Sequence, residues 1–266
     1  MLTTPYVTGT PNWIDLGTPD IDAANTFYNG VFGWQFQSAG PEAGGYGMFQ
    51  LGGKTAAGGM TVPPEQGPPA WNVYFQSPDA EATAKAVEAN GGRVVVEPMD
   101  VFDLGRMAIF ADPAGAAYAS WQPGKNKGLD SVNDPGSLAW LELYTPVPDA
   151  ALAHYSAVYG WETSTMPLPD GSGTYTMVNP AGAGEEAMFG GVVPQAADPL
   201  EAQGDPYWLP YFTVTDCDAT VAKARELGAT VRMEPIDMEG VGRFAKLADP
   251  AGAKFAIMQG IEPQAA

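Results

Sequence analysis

The sequence predicts an α+β protein built as a duplicated domain, each half made of two β-α-β-β-β modules. The first sign is a repeated phrase: "GRMAIFADPAGAAYASWQPG" begins at Gly105 and "GRFAKLADPAGAKFAIMQG" begins at Gly242, 137 positions later. The likeness then spreads through whole halves. At the same offset "GRVVVEPMDVFDLGR" (92–106) matches "ATVRMEPIDMEGVGR" (229–243), and "PAWNVYFQSPDAEAT" (69–83) matches "PYWLPYFTVTDCDAT" (206–220). At an offset of 127, "WIDLGTP" (13–19) matches "WLELYTP" (140–146) and "FYNGVFGW" (27–34) matches "HYSAVYGW" (154–161). The change of offset puts a ten-residue insertion in the Pro/Gly-rich stretches near 165–205. A period above one hundred residues is too long for a solenoid. The first domain is expected over 8–124 and the second over 139–262, with the polar, turn-rich stretch 125–138 as linker.

Each element has a local reason. "NWIDLGTPD" begins as a strand, and the turn at Pro19-Asp20 opens a helix that Asp20 or Asp22 can cap. Ile21, Ala24, Tyr28 and Val31 give that helix an apolar face, and Gly33 stops it. Short strands follow around 46–51 and 58–62. The cycle restarts with a strand over 70–76, a cap at Asp79 and a helix over 80–90 closed by Gly91-Gly92. "GRVVVEP", "GRMAIFAD" and "GAAYASWQ" supply the remaining strands. In "ADPAG" the proline has the φ a turn needs and the glycine can take positive φ, so the phrase is a hairpin connector rather than a catalytic signature. Arg106 and Arg243 are expected to pair with Asp100 and Asp237.

Composition bounds the function. Of 266 residues, 45% are hydrophobic and 11% aromatic, enough for packed cores. No apolar run is long enough to span a bilayer, and the start lacks the pattern of a signal peptide, so a cytoplasmic location is the default expectation. The single cysteine, Cys217, excludes an internal disulfide and a cysteine-rich metal cluster. A net charge of −19 opposes binding to nucleic acid or to anionic membranes. The acidity reads first as solubility and second as attraction for a cationic ligand.

Paired modules with "FYNGVFGW" closing a helix and "ADPAGA" between the last two strands resemble the vicinal oxygen chelate superfamily of glyoxalases, bleomycin-resistance proteins and extradiol dioxygenases. The tandem arrangement is similar to two-domain actinobacterial glyoxalase-like proteins. The resemblance implies that two modules curl their sheets into a cup-shaped, half-open barrel that holds the ligand or metal. It also implies metal ligands on the first strand of each module and four residues after each turn glycine. Those places carry Trp13, Asn72, Trp140 and Leu209, then Ala119 and Ala256. Indole, isobutyl and methyl groups cannot coordinate a metal, and an amide is a weak neutral donor. The one histidine, His154, stands on a helix where the first half has Phe27, so it reads as a packed residue. No metal and no cofactor are expected.

Strand alternation then lists what faces the cups. Trp13 and Asp15 share a face, as do Trp140 and Glu142; Asn72 and Tyr74 line one wall, Leu209 and Tyr211 another, and the closing strands add Trp121 and Lys254. The tryptophans can either fill the barrel or stack on a ligand. A carboxylate at the same inward place in both halves suggests a wet cup, unless a one-residue slip turns both to solvent. Lys254 reads as a snorkelling surface lysine.

The leading expectation is a metal-independent small-molecule binder whose aromatic cups take a planar or cationic ligand. The alternative is a glyoxalase- or isomerase-type enzyme with Asp15 or Glu142 as general base and Asn72, Tyr74, Tyr211 or Lys254 at the developing oxyanion. Metal-dependent chemistry and a pure interaction protein with self-filled cups are the remaining readings. Four modules in one chain make a monomer sufficient, though not required, so a homodimer stays open.

Overall fold

The computed structural model describes residues 2–167 and 174–261. In the first half, β1 (Pro11–Thr18), α1 (Ile21–Phe32), β2 (Gln35–Ser38), β3 (Gly47–Leu51) and β4 (Lys54–Thr61) form one module. The next comprises β5 (Ala70–Gln76), α2 (Ala80–Ala89), β6 (Arg93–Val101), β7 (Gly105–Ala111) and β8 (Ala117–Pro123). The second half repeats the plan with β9 (Leu138–Thr145), α3 (Pro148–Tyr159), β10 (Glu162–Pro167), β11 (Thr174–Asn179) and β12 (Gly190–Pro194). It closes with β13 (Tyr207–Thr213), α4 (Cys217–Glu226), β14 (Thr230–Met238), β15 (Gly242–Ala248) and β16 (Lys254–Gly260).

Each half makes one open eight-stranded sheet, ordered β2-β3-β4-β1-β5-β8-β7-β6 and β10-β11-β12-β9-β13-β16-β15-β14. Hairpins join the antiparallel strands, while β1 lies parallel to β4 with Asp15 opposite Gly58, and β9 parallel to β12 with Glu142 opposite Gly191. The helices start and stop as the caps dictate. Asp20 accepts the N–H groups of Asp22 and Ala23, Asp79 accepts that of Ala82, and Gly33 and Gly160 end α1 and α3 at φ 75° and 74°. The two "ADPAG" phrases are turns. Asp112 Oδ1 accepts from the N–H groups of Ala114, Gly115 and Ala116, and Asp249 repeats this with Ala251, Gly252 and Ala253. Arg106 pairs with Asp100 at 2.9 Å and Arg243 with Asp237 at 3.0 Å.

The sheets follow the halves of the sequence, whereas the compact packing units each take one module from either half. One unit lies within 1–14, 72–128 and 140–209. Its core stacks Tyr155 on Trp161 at 4.7 Å and adds Phe75, Tyr118 and Trp208 edge-on or tilted. The other lies within 15–71, 129–139 and 210–266, and its core stacks Tyr28 on Trp34 at 5.4 Å, with Trp71, Phe212 and Phe255 around them. One helix on half a sheet leaves apolar surface open, so a module needs another module's helix layer to bury it. The indole N–H groups fix chain segments: Trp161 donates to Gly9 O at 2.8 Å, and Trp34 donates to Gly136 O at 2.7 Å. Among the described residues, no helix is long and apolar enough to cross a membrane.

His154 is 1% exposed in the first of these cores. Its Nδ1 lies 2.9 Å from the Asn90 carbonyl, which only accepts, so Nδ1 carries the proton and Nε2 accepts from Tyr118 Oη at 2.7 Å. Burial holds its pKa below the ordinary value, against smaller upward pulls from the Asn90 carbonyl and Asp112. It is a neutral core histidine.

Candidate functional site

The helices cover one face of each sheet. In β1, Leu16 lies opposite Gly59 of β4, whose open side meets Ile21 of α1, so alternation turns Asp15 and Gly17 to the other, helix-free face. In β9, buried Leu141 and Leu143 take the corresponding place, leaving Trp140, Glu142 and Tyr144 on that face. Asp15 is buried and Glu142 half-buried, so neither carboxylate stands fully in solvent.

In the unit containing 140–209, the helix-free face carries a connected network. The Trp140 indole donates to Tyr175 Oη at 2.9 Å, Tyr175 donates to Glu142 Oε1 at 2.9 Å, and Tyr144 donates to Glu142 Oε2 at 2.7 Å. Tyr207 stacks on Tyr144 with ring centroids 5.7 Å apart. Trp140, Glu142 and Tyr175 are half-buried, so the network has an accessible side. Burial pushes the Tyr175 hydroxyl well above its ordinary pKa; the Glu142 charge adds to the rise and the Trp140 hydrogen bond opposes it. Tyr175 therefore keeps its proton and acts as a fixed donor to Glu142.

The first half shows the same pairing in the other unit, where Tyr46 donates to Asp15 Oδ2 at 3.0 Å. Asp15 is only 4% exposed, which corrects the expectation of a wet surrounding for both carboxylates: the burial that an isolated carboxylate resists is tolerated because Tyr46 supplies a hydrogen bond. Trp13, Tyr74, Trp121, Leu209 and Tyr211 are likewise buried, Asn72 is exposed, and Lys254 is half-buried. The Trp121 indole donates to Asn126 O at 3.0 Å, and Tyr211 meets Phe244 edge-on at 6.5 Å. Thus Trp140 and Glu142 are joined through the Tyr175 hydroxyl, while Asn72 and Tyr74 stand on β5 and Trp121 on β8.

Sequence reasoning missed Tyr46 and Tyr175, although "YGMFQ" (46–50) and "YTMVN" (175–179) are visibly equivalent. It also missed Lys246. This residue is 3% exposed on β15, opposite Ala256 of β16. Its first-half counterpart is Ile109. A recess of about 530 Å³ opens elsewhere, at the β14–β15 turn. There Arg243 is held between Asp218 and Asp237, and Gln259 accepts the Cys217 N–H.

The profile of the Glyoxalase/Bleomycin resistance protein/Dioxygenase superfamily matches residues 10–118, and that of a Glyoxalase-like domain matches 140–258. "Putative glyoxylase CFP32" of Mycobacterium tuberculosis is 40% identical over 259 residues, covering 96% of both chains. The chain belongs to the glyoxalase/bleomycin-resistance/dioxygenase superfamily. "Anthracycline biosynthesis protein DnrV" of Streptomyces peucetius, a similar relative, is 39% identical over 280 residues, covering 96% of this chain and 95% of that one. Among solved structures, the Mn(II)-bound glyoxalase of Novosphingobium aromaticivorans shares the fold at TM-score 0.63 and 15% identity, over 96% of this chain and 84% of that one. The 2,3-dioxygenase LapB of Pseudomonas sp. KL28 does so at 0.63 and 16%, over 96% and 94%.

Membership in this superfamily raises the question of a divalent metal, and the side chains answer it. The places where the resemblance puts ligands hold Trp13, Asn72 and Ala119 in the first half, and Trp140, Leu209 and Ala256 in the second. Among the described residues no group of three or more His, Cys, Asp or Glu stands together as a metal-holding set. Both nitrogens of His154 are already engaged in the core. These residues do not fit a divalent ion.

Proposed function

We propose that this superfamily member is a metal-independent small-molecule-binding protein, and that the second half holds the ligand against Trp140, Glu142 and Tyr175. One observation carries the reading. Glu142 is a half-buried carboxylate held by two tyrosine donors beside a half-buried indole. A carboxylate fixed in place with an aromatic wall suits a flat ligand that is cationic or presents N–H or O–H donors, through charge-assisted hydrogen bonding, stacking and cation–π contact. The name of the relative DnrV supports this reading, since an anthracycline is a flat polycyclic aromatic. The net charge of −19 favours a cationic ligand further.

A second reading, proton transfer with Glu142 as general base, is favoured by the name of the relative CFP32. In that reading Glu142 removes a proton from a carbon acid and a neighbouring hydroxyl supports the oxyanion. Titration of the full chain with proflavine, a planar cation, tests the binding reading. Saturable binding that weakens about 10-fold or more in Glu142→Gln supports it. Equal affinity in wild type and variant, or none in either, counts against it.

A further inference from the structure

A glycine lies beside each of the two carboxylates. In the second half Glu142 of β9 stands opposite Gly191 of β12, and Gly191 stands opposite Met177 of β11. In the first half Asp15 of β1 stands opposite Gly58 of β4, and Gly58 opposite Met48 of β3. Residues in register share a face of the sheet, so each glycine leaves bare backbone between the carboxylate and the methionine. The tyrosine two residues before the methionine shares that face and crosses the bare backbone. Tyr175 donates to Glu142 Oε1 at 2.9 Å, and Tyr46 donates to Asp15 Oδ2 at 3.0 Å.

Backbone conformation does not call for glycine at either place. Neither Gly191 nor Gly58 has a positive φ, so a residue with a side chain could adopt the same strand geometry. At Gly191 the reason is space. A Cβ there would overlap Tyr175 Oη and Cζ and stand 2.9 Å from Tyr175 Cε1, and these are the atoms nearest to it. Its neighbour Gly190 is different: a Cβ there would stand 2.6 Å from the Leu141 carbonyl oxygen, so its bareness serves strand pairing. A carbonyl cannot yield without disturbing the sheet, whereas a tyrosine ring can turn to another rotamer.

We propose that Gly191 is a positioning residue of the Glu142 network: its missing side chain seats the Tyr175 ring, and a methyl group there swings Tyr175 away from Glu142 and Trp140. The seat fixes two contacts at once, because the same hydroxyl donates to Glu142 and accepts the Trp140 indole N–H at 2.9 Å. The recurrence of carboxylate, glycine and tyrosine in the first half marks this as one device used twice. Its consequence for a ligand rests on the reading of this network as the binding site; the seat itself is tested without one.

Gly191→Ala, Tyr175→Ala and the double variant, each in the full-length protein, test the assignment. The Trp140 indole N–H resonance, assigned from Trp140→Phe, reports whether Tyr175 still accepts from it. Gly191→Ala is expected to move this resonance to the position it takes in Tyr175→Ala, and the double variant to leave it there. Proflavine should bind Gly191→Ala about 5- to 10-fold more weakly than wild type. The double variant should stay within twofold of Tyr175→Ala, because both substitutions remove the same contact. Tyr175→Ala takes away the ring that the methyl would strike, so a double variant that folds where Gly191→Ala does not also supports the seat. An indole resonance unmoved by Gly191→Ala, proflavine losses that multiply in the double variant, or a double variant that fails to fold would overturn the proposal. Absence of proflavine binding in wild type counts against the ligand reading alone, and the indole resonance still decides the seat.

Discussion

Tyr175 Oη lies 2.9 Å from Glu142 Oε1 and also accepts the Trp140 indole N–H at 2.9 Å. A tyrosine has one proton to give, and here the indole occupies its acceptor side, so the proton is directed to Glu142. The same relation recurs between Tyr46 and Asp15 in the first half. Tyr175→Phe removes an acceptor from Trp140 and a donor from Glu142 together. The expected result is a loss of about 1–3 kcal/mol in stability, read from urea denaturation, and weaker proflavine binding with the fold retained. Unchanged stability and binding would show that the network is incidental.

The buried tyrosines should resist ionisation. Burial, first among the causes, raises the pKa of Tyr28 and Tyr155 well above 10, and it raises Tyr118 and Tyr159 in the same direction. A pKa raised in the folded state gives stability that is complete below the unfolded value of about 10 and is lost as pH climbs above it. Ultraviolet titration should therefore show these phenols ionising only with a cooperative loss of near-UV circular dichroism. Gradual ionisation of all the tyrosines in an intact fold would contradict the packing described.

His154 predicts the opposite pH limb. Its pKa is lowered by burial, with Tyr118, Tyr155, Asn90 and Asp112 as the groups that face it. The stability this contributes is present above the unfolded value of about 6.5 and drains away as pH falls through the lower folded value. His154→Phe installs the residue of the first half. It should lower stability at pH 7 by about 1–3 kcal/mol, since Tyr118 and Asn90 lose their partner, and should flatten the decline between pH 7 and 5. An unchanged slope would mean that another group controls acid stability.

Cys217 gives a simple accessibility test. It is fully buried, and burial pushes its thiol up to about 11, with Asp218 raising it further and Arg243 opposing. A thiol of that kind is inert toward Ellman's reagent at pH 8. One equivalent should react only on addition of denaturant; rapid labelling of the native protein would contradict the placement of α4.

Much of the fold was written in local chemistry. Asp20, Asp79, Gly33 and the two "ADPAG" turns act through neighbours a few residues away, and their effect can be read without knowing the tertiary structure. The pairing of modules was not legible in this way. Tyr155 meets Phe75 and Tyr28 meets Phe255, contacts between sequence halves that no periodicity encodes. For the site, alternation correctly placed Trp140 and Glu142 on one face, because strand geometry fixes it. Tyr175 was missed because it sits on another strand, and only strand order brings β11 near β9. Lys246 was missed because a charged side chain at 3% exposure runs against the usual distribution of lysine.

The central claim is that an organic ligand rests against Trp140 beside Glu142, and the Trp140 indole N–H reports on it most directly. In ¹⁵N-edited NMR of the full-length protein, with the Trp140 signal assigned from Trp140→Phe, proflavine should shift that resonance saturably, with the same affinity that calorimetry gives. Saturable binding that leaves the Trp140 resonance unmoved would contradict the account.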